Sequence, residues 1–193
     1  MAVPVKILAF AGSLRRESYN KKLVRVAAAG ARAAGAEVTE LDLRDLPLPI
    51  FDEDLEASEG LPANGRRLKD LMLAHHGFLI AAPEYNSSIT AVLKNALDWA
   101  SRPVVGESPL ACFTGKVASL TAASPGALGG LRGLVTVRSI LGNIGVVVMP
   151  NQIALPKAYE AFNPDGSLKN PKDQAGVEKL GADLAAMLMI LRA

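Results

Sequence analysis

The chain has 193 residues, of which 50% are hydrophobic and 21% are charged, and its formal net charge is +2. This length and apolar content predict one folded domain over residues 1–193 and exclude an intrinsically disordered protein. The small net charge, without a run of lysine or arginine, argues against a nucleic-acid-binding protein, and the single cysteine, Cys112, excludes an internal disulfide and a cysteine-based metal site.

Strand-like and helix-like segments alternate along the chain. Residues 78–82 form an apolar run without polar alternation, which is typical of a strand buried on both faces of a parallel sheet. In chain order we predict strand 3–11, helix 21–35, strand 37–43, helix 66–75, strand 78–82, a helix from residue 89, strand 116–121, helix 131–141, strand 145–149 and helix 173–191. Such alternation predicts a five-stranded parallel sheet with right-handed crossovers and helices on both faces.

Three segments between these elements lack a regular pattern. Residues 46–62 contain several prolines and the acidic run Asp52, Glu53 and Asp54, and they predict a surface loop with solvated acids. Residues 103–115 predict a second loop. Residues 150–171 predict an excursion with little regular structure.

The residues that other kinds of active site require are scarce. The only histidines, His75 and His76, are adjacent at a predicted helix end, where they predict a capping pair instead of a catalytic triad or metal ligands. Residues 1–12 are too short for a signal peptide, and their cleavage would remove the first strand. Because no apolar run approaches transmembrane length, we expect a cytoplasmic protein with no membrane or nucleic-acid partner.

Polar turns follow the first, third and fourth predicted strands, at residues 12–20, 83–88 and 123–130. The carboxyl ends of parallel strands meet at one edge of the sheet, and ligands of open α/β sheets bind in the crevice outside that edge. These turns are therefore candidate ligand contacts. For residues 83–88 alone, the pattern equally allows a solvated connecting loop.

The first of these turns carries donors suited to a phosphate, namely Ser13, Arg15, Ser18 and Asn20. A phosphate at a helix start meets free backbone N–H groups and the positive end of the helix dipole, and a guanidinium adds a planar pair of donors. Ser18 alone could instead be a helix N-cap without any ligand. The first strand is not followed by Gly-x-Gly-x-x-Gly, and no Walker sequence occurs, so these competing nucleotide motifs are excluded.

The central turn reads Pro83-Glu84-Tyr85-Asn86 and is followed by Leu-Lys-Asn-Ala-Leu-Asp-Trp over residues 93–99. This string resembles the flavin-contacting segment of the NAD(P)H-dependent FMN reductases, a family that includes quinone, azo and chromate reductases. The first turn resembles the phosphate loop of the same family, Ser-x-Arg-x-x-Ser-x-Asn. The family usually has Pro-Gly where this chain has Thr90-Ala91, a difference that bears on the shape of the turn.

The resemblance implies a flavodoxin-like, doubly wound five-stranded sheet of strand order 2-1-3-4-5, with FMN and NADPH (or NADH) as cofactors. It implies cofactor contacts from all three turns, at Ser13, Arg15, Ser18, Tyr19, Asn20, Pro83, Glu84, Tyr85, Asn86, Ser124, Pro125, Gly126 and Gly129. Because the cofactor carries the chemistry, we predict no catalytic side chain and no metal ligand. A general acid at Glu84 is not needed, and a solvated or capping acid is the alternative.

The resemblance further implies an enzyme that transfers hydride from NAD(P)H to bound FMN and on to a small acceptor in a ping-pong cycle. The acceptor would be a quinone, an azo compound, chromate or free flavin, and the protein would be a homodimer or homotetramer. Arg132 and Arg138 could attract a nicotinamide phosphate or a second subunit, although ordinary surface positions suit them better. Two alternatives stay open: a non-enzymatic flavin-binding electron carrier and a structural α/β domain without a ligand.

Overall fold

The computed structural model describes residues 4–192 of the chain. Two sheets and seven α-helices occur within that range, together with a short 3-10 helix at Leu43–Asp45. In chain order the elements are β1 (Lys6–Ala11), α1 (Tyr19–Ala33), β2 (Glu37–Leu41), α2 (Glu53–Glu59), α3 (Ala63–Ala74), β3 (Gly77–Ala81), β4 (Glu84–Tyr85), β5 (Ser88–Ile89), α4 (Ala91–Ser101), β6 (Val117–Ala123), α5 (Leu131–Asn143), β7 (Val147–Leu155), α6 (Ala158–Ala161) and α7 (Pro171–Leu191).

The main sheet has the strand order β2-β1-β3-β6-β7, and every neighbouring pair is parallel. Counted along the chain as five main strands, this is the order 2-1-3-4-5 of a flavodoxin-like fold, so the predicted fold class is confirmed. In the sheet, Ala11 lies opposite Ala81, and Ala81 lies opposite Thr121. The carboxyl ends of β1, β3 and β6 are therefore aligned, and the turns that follow them begin at one edge.

Helices cover both faces of this sheet because its central strands are apolar on both sides. Ile7 of β1 points into the core formed with α1 and α7, and Leu8 points into the core formed with α3, α4 and α5. Helices α1 and α7 approach most closely at Gly30 and Gly181. A Cβ atom added at either glycine would lie 1.9 Å from a backbone oxygen of the other helix, so this contact requires glycine at both positions.

The structure corrects the predictions for two segments in the first part of the chain. The predicted strand 3–11 begins at Lys6, and Val3 lies outside the described residues. The predicted loop 46–62 contains helix α2, which Asp52 caps by accepting hydrogen bonds from the backbone N–H groups of Asp54 and Leu55. The prediction of a loop was wrong there because acids in a first helical turn interact favourably with the helix dipole.

The prediction of an irregular segment over residues 150–171 was also wrong in its first part. Strand β7 was predicted to end at Met149, but it continues through Pro150 to Leu155, and helix α6 follows. Proline lacks an N–H group, so it is tolerated on an edge strand or at a bulge. β7 is an edge strand, and its register against β6 shifts between Ala118 and Leu120. Residues 103–115, by contrast, contain turns but no helix or strand, as predicted.

Candidate functional site

A cleft lies where the three turns meet at the carboxyl edge of β1, β3 and β6. We call residues 12–20 the first turn, 83–90 the central turn and 123–130 the third turn; the first and third of these overlap the start of α1 and the end of β6. The cleft is lined by Ser13, Arg15, Ser18, Tyr19, Asn20, Pro83, Glu84, Tyr85, Ala123, Ser124 and Pro125. The structure therefore brings together the predicted site residues except Asn86, Gly126 and Gly129, and it adds Ala123.

The first turn presents hydroxyl groups and one guanidinium to this cleft. Ser13 and Ser18 are buried, with 5% and 4% of their surface exposed, and Ser13 Oγ accepts a hydrogen bond from the backbone N–H of Arg15 at 3.3 Å. The Arg15 guanidinium lies over the Tyr19 ring, 5.1 Å from its centroid, and Tyr19 stacks on Phe162. A cation held over an aromatic face has fewer orientations open to it, so Arg15 is partly preorganised.

Helices α1, α4 and α5 all begin at this edge, but only two of the three have an N-terminus capped by a side chain. Thr90 caps α4 by accepting a hydrogen bond from the Leu93 N–H at 3.2 Å, and Glu84 caps α5. Within residues 4–192, the Ser18 hydroxyl makes no hydrogen bond that caps α1, and the first turn of α1 has no acidic residue. The N–H groups and positive dipole end of α1 are therefore the ones left open to an anion.

Asn20 connects the first turn to the end of β6. Its Nδ2 donates to the Ala123 carbonyl at 2.8 Å, and its Oδ1 accepts from the Ala123 N–H at 2.9 Å. An asparagine amide has two N–H hydrogens, so one remains for a ligand. Sequence reasoning gave Asn20 a ligand contact and missed this connection.

Thr90 connects the central turn to the first turn. Its hydroxyl donates to the Gly12 carbonyl at 2.7 Å while it accepts from the Leu93 N–H. Thr90 is 3% exposed, so both hydrogen bonds are shielded from water. The departure from Pro-Gly at Thr90-Ala91 thus leaves a well-capped helix start at Ala91 and adds a hydrogen bond that a proline side chain cannot make.

The polar central turn predicted from the sequence forms a two-stranded hairpin. β4 and β5 pair with Glu84 opposite Ile89 and Tyr85 opposite Ser88. Its tip residues Asn86 and Ser87 have φ values of 51° and 66°. Two positive φ values are typical of the tight turn that joins two antiparallel strands. Asn86 therefore sits at the exposed hairpin tip, which explains why it does not line the cleft.

Glu84 reaches from the hairpin to the start of α5. Its carboxylate accepts hydrogen bonds from the backbone N–H groups of Arg132 at 2.9 Å and Gly133 at 3.1 Å, and it pairs with the Arg132 guanidinium at 2.8 Å. Burial works to raise the pKa of Glu84, but the hydrogen bonds from Gly133 and Arg132 outweigh it and hold the pKa below its usual range. The capping role is confirmed, whereas a solvated acid was wrong because only 9% of the side chain is exposed.

The glycines of the third turn have different surroundings. Gly129 and Gly130 have positive φ, and a Cβ on Gly129 would lie 2.7 Å from the backbone of residues 154–156. A Cβ on Gly126 would meet only Ser124 Oγ, at 3.6 Å. Gly129 is therefore needed for packing against β7, and Gly126 is the glycine with open space beside its backbone.

Comparison with known proteins assigns this arrangement to a family. The family model described as NADPH-dependent FMN reductase matches residues 5–160, which include all three turns. The chain belongs to this family of oxidoreductases.

Individual members of the family are similar along nearly the whole chain. The NAD(P)H-dependent FMN reductase of Pseudomonas aeruginosa is 35% identical over 173 residues, which are 89% of each chain. A quinone reductase of Pseudomonas putida is 35% identical over 179 residues, covering 89% of this chain and 90% of its own. The solved structure of FerB, a flavoenzyme NAD(P)H:(acceptor) oxidoreductase from Paracoccus denitrificans, is 29% identical, with a TM-score of 0.80 and coverage of 96% and 97%.

Arg132 and Arg138, which suited ordinary surface positions in sequence, both make internal contacts in this FMN reductase family member. Arg132 pairs with Glu84, as described above. The Arg138 guanidinium donates to the Met149 carbonyl at 2.8 Å and to Gln152 Oε1 at 3.0 Å. Arg138 therefore supports β7 at its register shift and does not line the cleft, so the surface interpretation was wrong for this arginine. It is confirmed for Arg132, whose side chain is 59% exposed although it pairs with Glu84.

The two histidines have separate roles. His75 ends α3 with Nδ1 at 2.6 Å from the Leu71 carbonyl, so the predicted helix cap is confirmed for this residue. His76 Nδ1 accepts from the backbone N–H of Lys6 at 2.9 Å and thereby joins the start of β3 to β1. The prediction of a capping pair was wrong for His76.

A second cavity beside the first turn carries less polar chemistry. A cavity of about 320 Å³ on the far side of the first turn is lined mainly by apolar side chains, including Leu14, Leu46 and Val92. Asn95 also lines it, but its amide is already bonded to the backbone of Phe51 and Pro49. Over residues 4–192, no group of His, Cys, Asp and Glu is placed to hold a metal ion, and no helix is long and apolar enough to cross a membrane.

Proposed function

We propose that this protein is an NAD(P)H-dependent oxidoreductase that binds FMN in the cleft between the three turns. It takes reducing equivalents from NADPH or NADH and passes them to a small acceptor, namely a quinone, an azo compound, chromate or free flavin. The observation that carries this proposal is the open N-terminus of α1 beside capped N-termini of α4 and α5. The family model and the names of the relatives support the same chemistry.

The first turn would hold the FMN phosphate. The hydroxyls of Ser13 and Ser18 and the backbone N–H groups at the start of α1 supply neutral donors, and Arg15 supplies the charge that a dianion needs. Tyr19 keeps Arg15 at the rim, and Asn20, which also lines the cleft, has a second N–H hydrogen to donate. This donor set fits a phosphate ester without a metal ion.

The central and third turns would hold the flavin ring system. Pro83, Glu84 and Tyr85 line one side of the cleft, and Ser124 and Pro125 line the other. The open space beside Gly126 allows a flat ligand to approach the third turn, while Asn86 and Gly129 shape the two turns from outside the cleft lining. When bound, FMN supplies the redox chemistry, so no side chain is assigned a catalytic role.

We expect the nicotinamide and the acceptor to occupy this cleft in turn, which predicts ping-pong kinetics with mutual competition. A cofactor held by turns at a sheet edge stays partly exposed, and a second copy of the chain would cover it. We therefore propose a cytoplasmic homodimer or homotetramer in which residues 1–193 form one flavodoxin-like domain. If light scattering of the flavin-bound protein gave the mass of a single chain, the proposed homodimer or homotetramer would be wrong.

One spectrum followed by one titration tests the proposal. The purified protein, or the protein reconstituted with FMN, should show flavin absorbance, and NADPH or NADH added under anaerobic conditions should bleach it. A flavin-binding protein that NAD(P)H reduces slowly or not at all would be an electron carrier, and a protein that binds no flavin would be a structural domain. Intersecting initial-rate plots, in place of parallel ones, would overturn the ping-pong mechanism.

A further inference from the structure

Glu84 lines the cleft on the side of the central turn and is bonded to α5, the helix that follows the third turn. It is the first residue of the hairpin that forms the central turn, and its carboxylate is bonded to Arg132 and Gly133 of α5. Helix α5 follows the third turn directly, so these hydrogen bonds fix the central turn relative to the third turn. Both turns would contact the flavin ring in the proposed function.

Helix α5 depends on this carboxylate for its cap. Its N-cap position is Gly130, in a left-handed conformation and without a side chain to accept a hydrogen bond. The helix also lacks a side chain at Gly133, where a Cβ would lie 3.2 Å from the Glu84 Cβ and 3.3 Å from the Ser88 carbonyl oxygen. The absence of Cβ at Gly133 therefore permits the hairpin to pack this closely, and Glu84 provides the cap from another segment.

The negative charge of Glu84 is balanced by groups at the start of α5. Arg132 contributes a positive charge, with Nη2 2.8 Å from Oε1, and the α5 dipole contributes its positive end. Three N–H groups donate hydrogen bonds to the two carboxylate oxygens. Such a carboxylate is ionised at neutral pH and has its oxygens occupied, so it is poorly suited to donate a proton to a substrate.

We propose that Glu84 is a positioning residue that sets the spacing between the central and third turns and thereby the fit of the flavin ring. The proposal rests on the function proposed above. Glu84 also closes the N-terminus of α5 to anions, so that a phosphate group is directed to α1. A site held in its bound geometry before the ligand arrives binds more tightly, because less ordering has to occur on binding.

The test uses the full chain freed of flavin, in wild-type form and as Glu84→Ala and Glu84→Gln. Dissociation constants for FMN and riboflavin are measured by flavin fluorescence. Glu84→Ala should weaken both ligands by about tenfold or more and to a similar extent, because both contain the ring and only FMN contains the phosphate. Glu84→Gln keeps the shape and one acceptor, so it should restore part of the affinity.

Asp52→Ala is the matched control for a lost helix cap. Asp52 caps α2 in an exposed segment away from the cleft, so its replacement should lower the thermal midpoint but leave both dissociation constants unchanged. Equal affinities in wild type and Glu84→Ala would overturn the positioning role while leaving the proposed function intact. Failure of the wild type itself to bind either flavin would instead overturn the proposed function and this proposal with it.

The midpoint potential of bound flavin gives a second readout that loss of packing alone does not predict. Reduction adds negative charge to the ring, so nearby positive charge favours the reduced form. Glu84→Gln leaves the Arg132 charge unbalanced and should raise the potential, whereas Arg132→Ala leaves the Glu84 charge less balanced and should lower it. Both variants keep a hydrogen-bond acceptor that caps α5, so the proposal can still be tested with them if Glu84→Ala does not fold. Shifts of the same sign, or none, would contradict the proposal.

Discussion

Asn20 and Ala123 exchange two hydrogen bonds, from Nδ2 to the carbonyl oxygen at 2.8 Å and from the backbone N–H to Oδ1 at 2.9 Å. The residues are 103 positions apart, and Asn20 is 4% exposed. This pair joins the first turn to the third, Thr90 joins the first to the central, and Glu84 joins the central turn to α5, the helix that follows the third turn. The cleft is thus held by side-chain contacts that link its turns directly or, for the central and third turns, through the start of α5.

Replacing Asn20 with Ala should destabilise the protein by roughly 2–6 kcal/mol. The change leaves a buried N–H and a buried carbonyl of Ala123 without partners, and each unsatisfied group costs about 1–3 kcal/mol. Urea unfolding of the flavin-free protein measures the difference. Asn64→Ala is the control, because the hydrogen bonds of Asn64, to the Pro47 carbonyl and from the Arg67 guanidinium, are exposed. A loss as large as that of Asn20→Ala would show that burial does not decide the effect.

Three buried hydroxyl groups allow a matched comparison. The Ser119 and Thr121 hydroxyls on β6 have no hydrogen-bond partner among the described residues, whereas the Thr90 hydroxyl has two partners. Thr121→Val removes an unpaired polar group at nearly constant shape and should raise the free energy of unfolding by about 1 kcal/mol. Thr90→Val should lower it by about 1–3 kcal/mol. Equal signs for the two changes would contradict this account.

Glu84 should contribute to acid sensitivity. Its pKa in the folded state is lower than in the unfolded chain, where it is about 4.3, so the unfolded state takes up the proton first as the pH falls. The stability that Glu84 provides is complete above that unfolded value and is lost below it, through the lower folded pKa. Between pH 7 and pH 3 the free energy of unfolding should therefore fall less steeply for Glu84→Gln than for the wild type. Glu59→Gln, at an exposed position on α2, should keep the wild-type slope.

The glycines of the third turn should separate folding from binding. Gly129→Ala places a Cβ 2.7 Å from backbone atoms at a φ of 62°, and it should cost at least about 1–3 kcal/mol of stability. Gly126→Ala meets no close neighbour, so stability should change by less than about 1 kcal/mol. If the flavin ring rests against Gly126, the added methyl group should still weaken flavin binding. Wild-type affinity in Gly126→Ala would place the ring elsewhere.

The parallel sheet, and with it the edge at which the three turns lie together, can be predicted from the sequence. Burial on both faces makes each central strand a run of apolar residues. The run 78–82 has no polar residue, so its place in the sheet follows from composition alone. Helix α2 leaves no such signal, since none of its seven residues is buried and no apolar stripe marks it. β7 passes through Pro150, which reads as a strand end unless the edge position is known.

The contacts within the site are less predictable than the residues that form it. Asn20, Glu84 and Thr90 are polar residues in polar turns, and the local pattern does not distinguish a side chain that faces a ligand from one that bonds to distant backbone. Their partners Ala123 and Gly12 offer only main-chain groups, which every residue carries. One signal was available for Glu84: the Gly-Gly pair before α5 leaves that helix without a cap of its own.

Arg15 provides the sharpest test of the phosphate assignment. Arg15→Ala removes a charged donor from a group that the α1 backbone N–H groups would still hold. Hydrogen bonds to charged groups contribute about 1.5–3 kcal/mol, so FMN affinity should fall by about 10- to 100-fold. Riboflavin has the same ring without the phosphate, and its affinity should barely change, which separates this effect from the equal loss expected for Glu84→Ala.

Arg16 is the matched control, because it is adjacent, equally charged and exposed, and it does not line the cleft. Arg16→Ala should leave the affinities for both flavins close to those of the wild type. All dissociation constants are measured at one ionic strength, since salt screens the charge of an exposed arginine. The phosphate assignment is wrong if Arg15→Ala weakens riboflavin as much as FMN, or if Arg16→Ala proves the more harmful change, because either result would mean that the selectivity for the phosphate arises outside the first turn's Arg15.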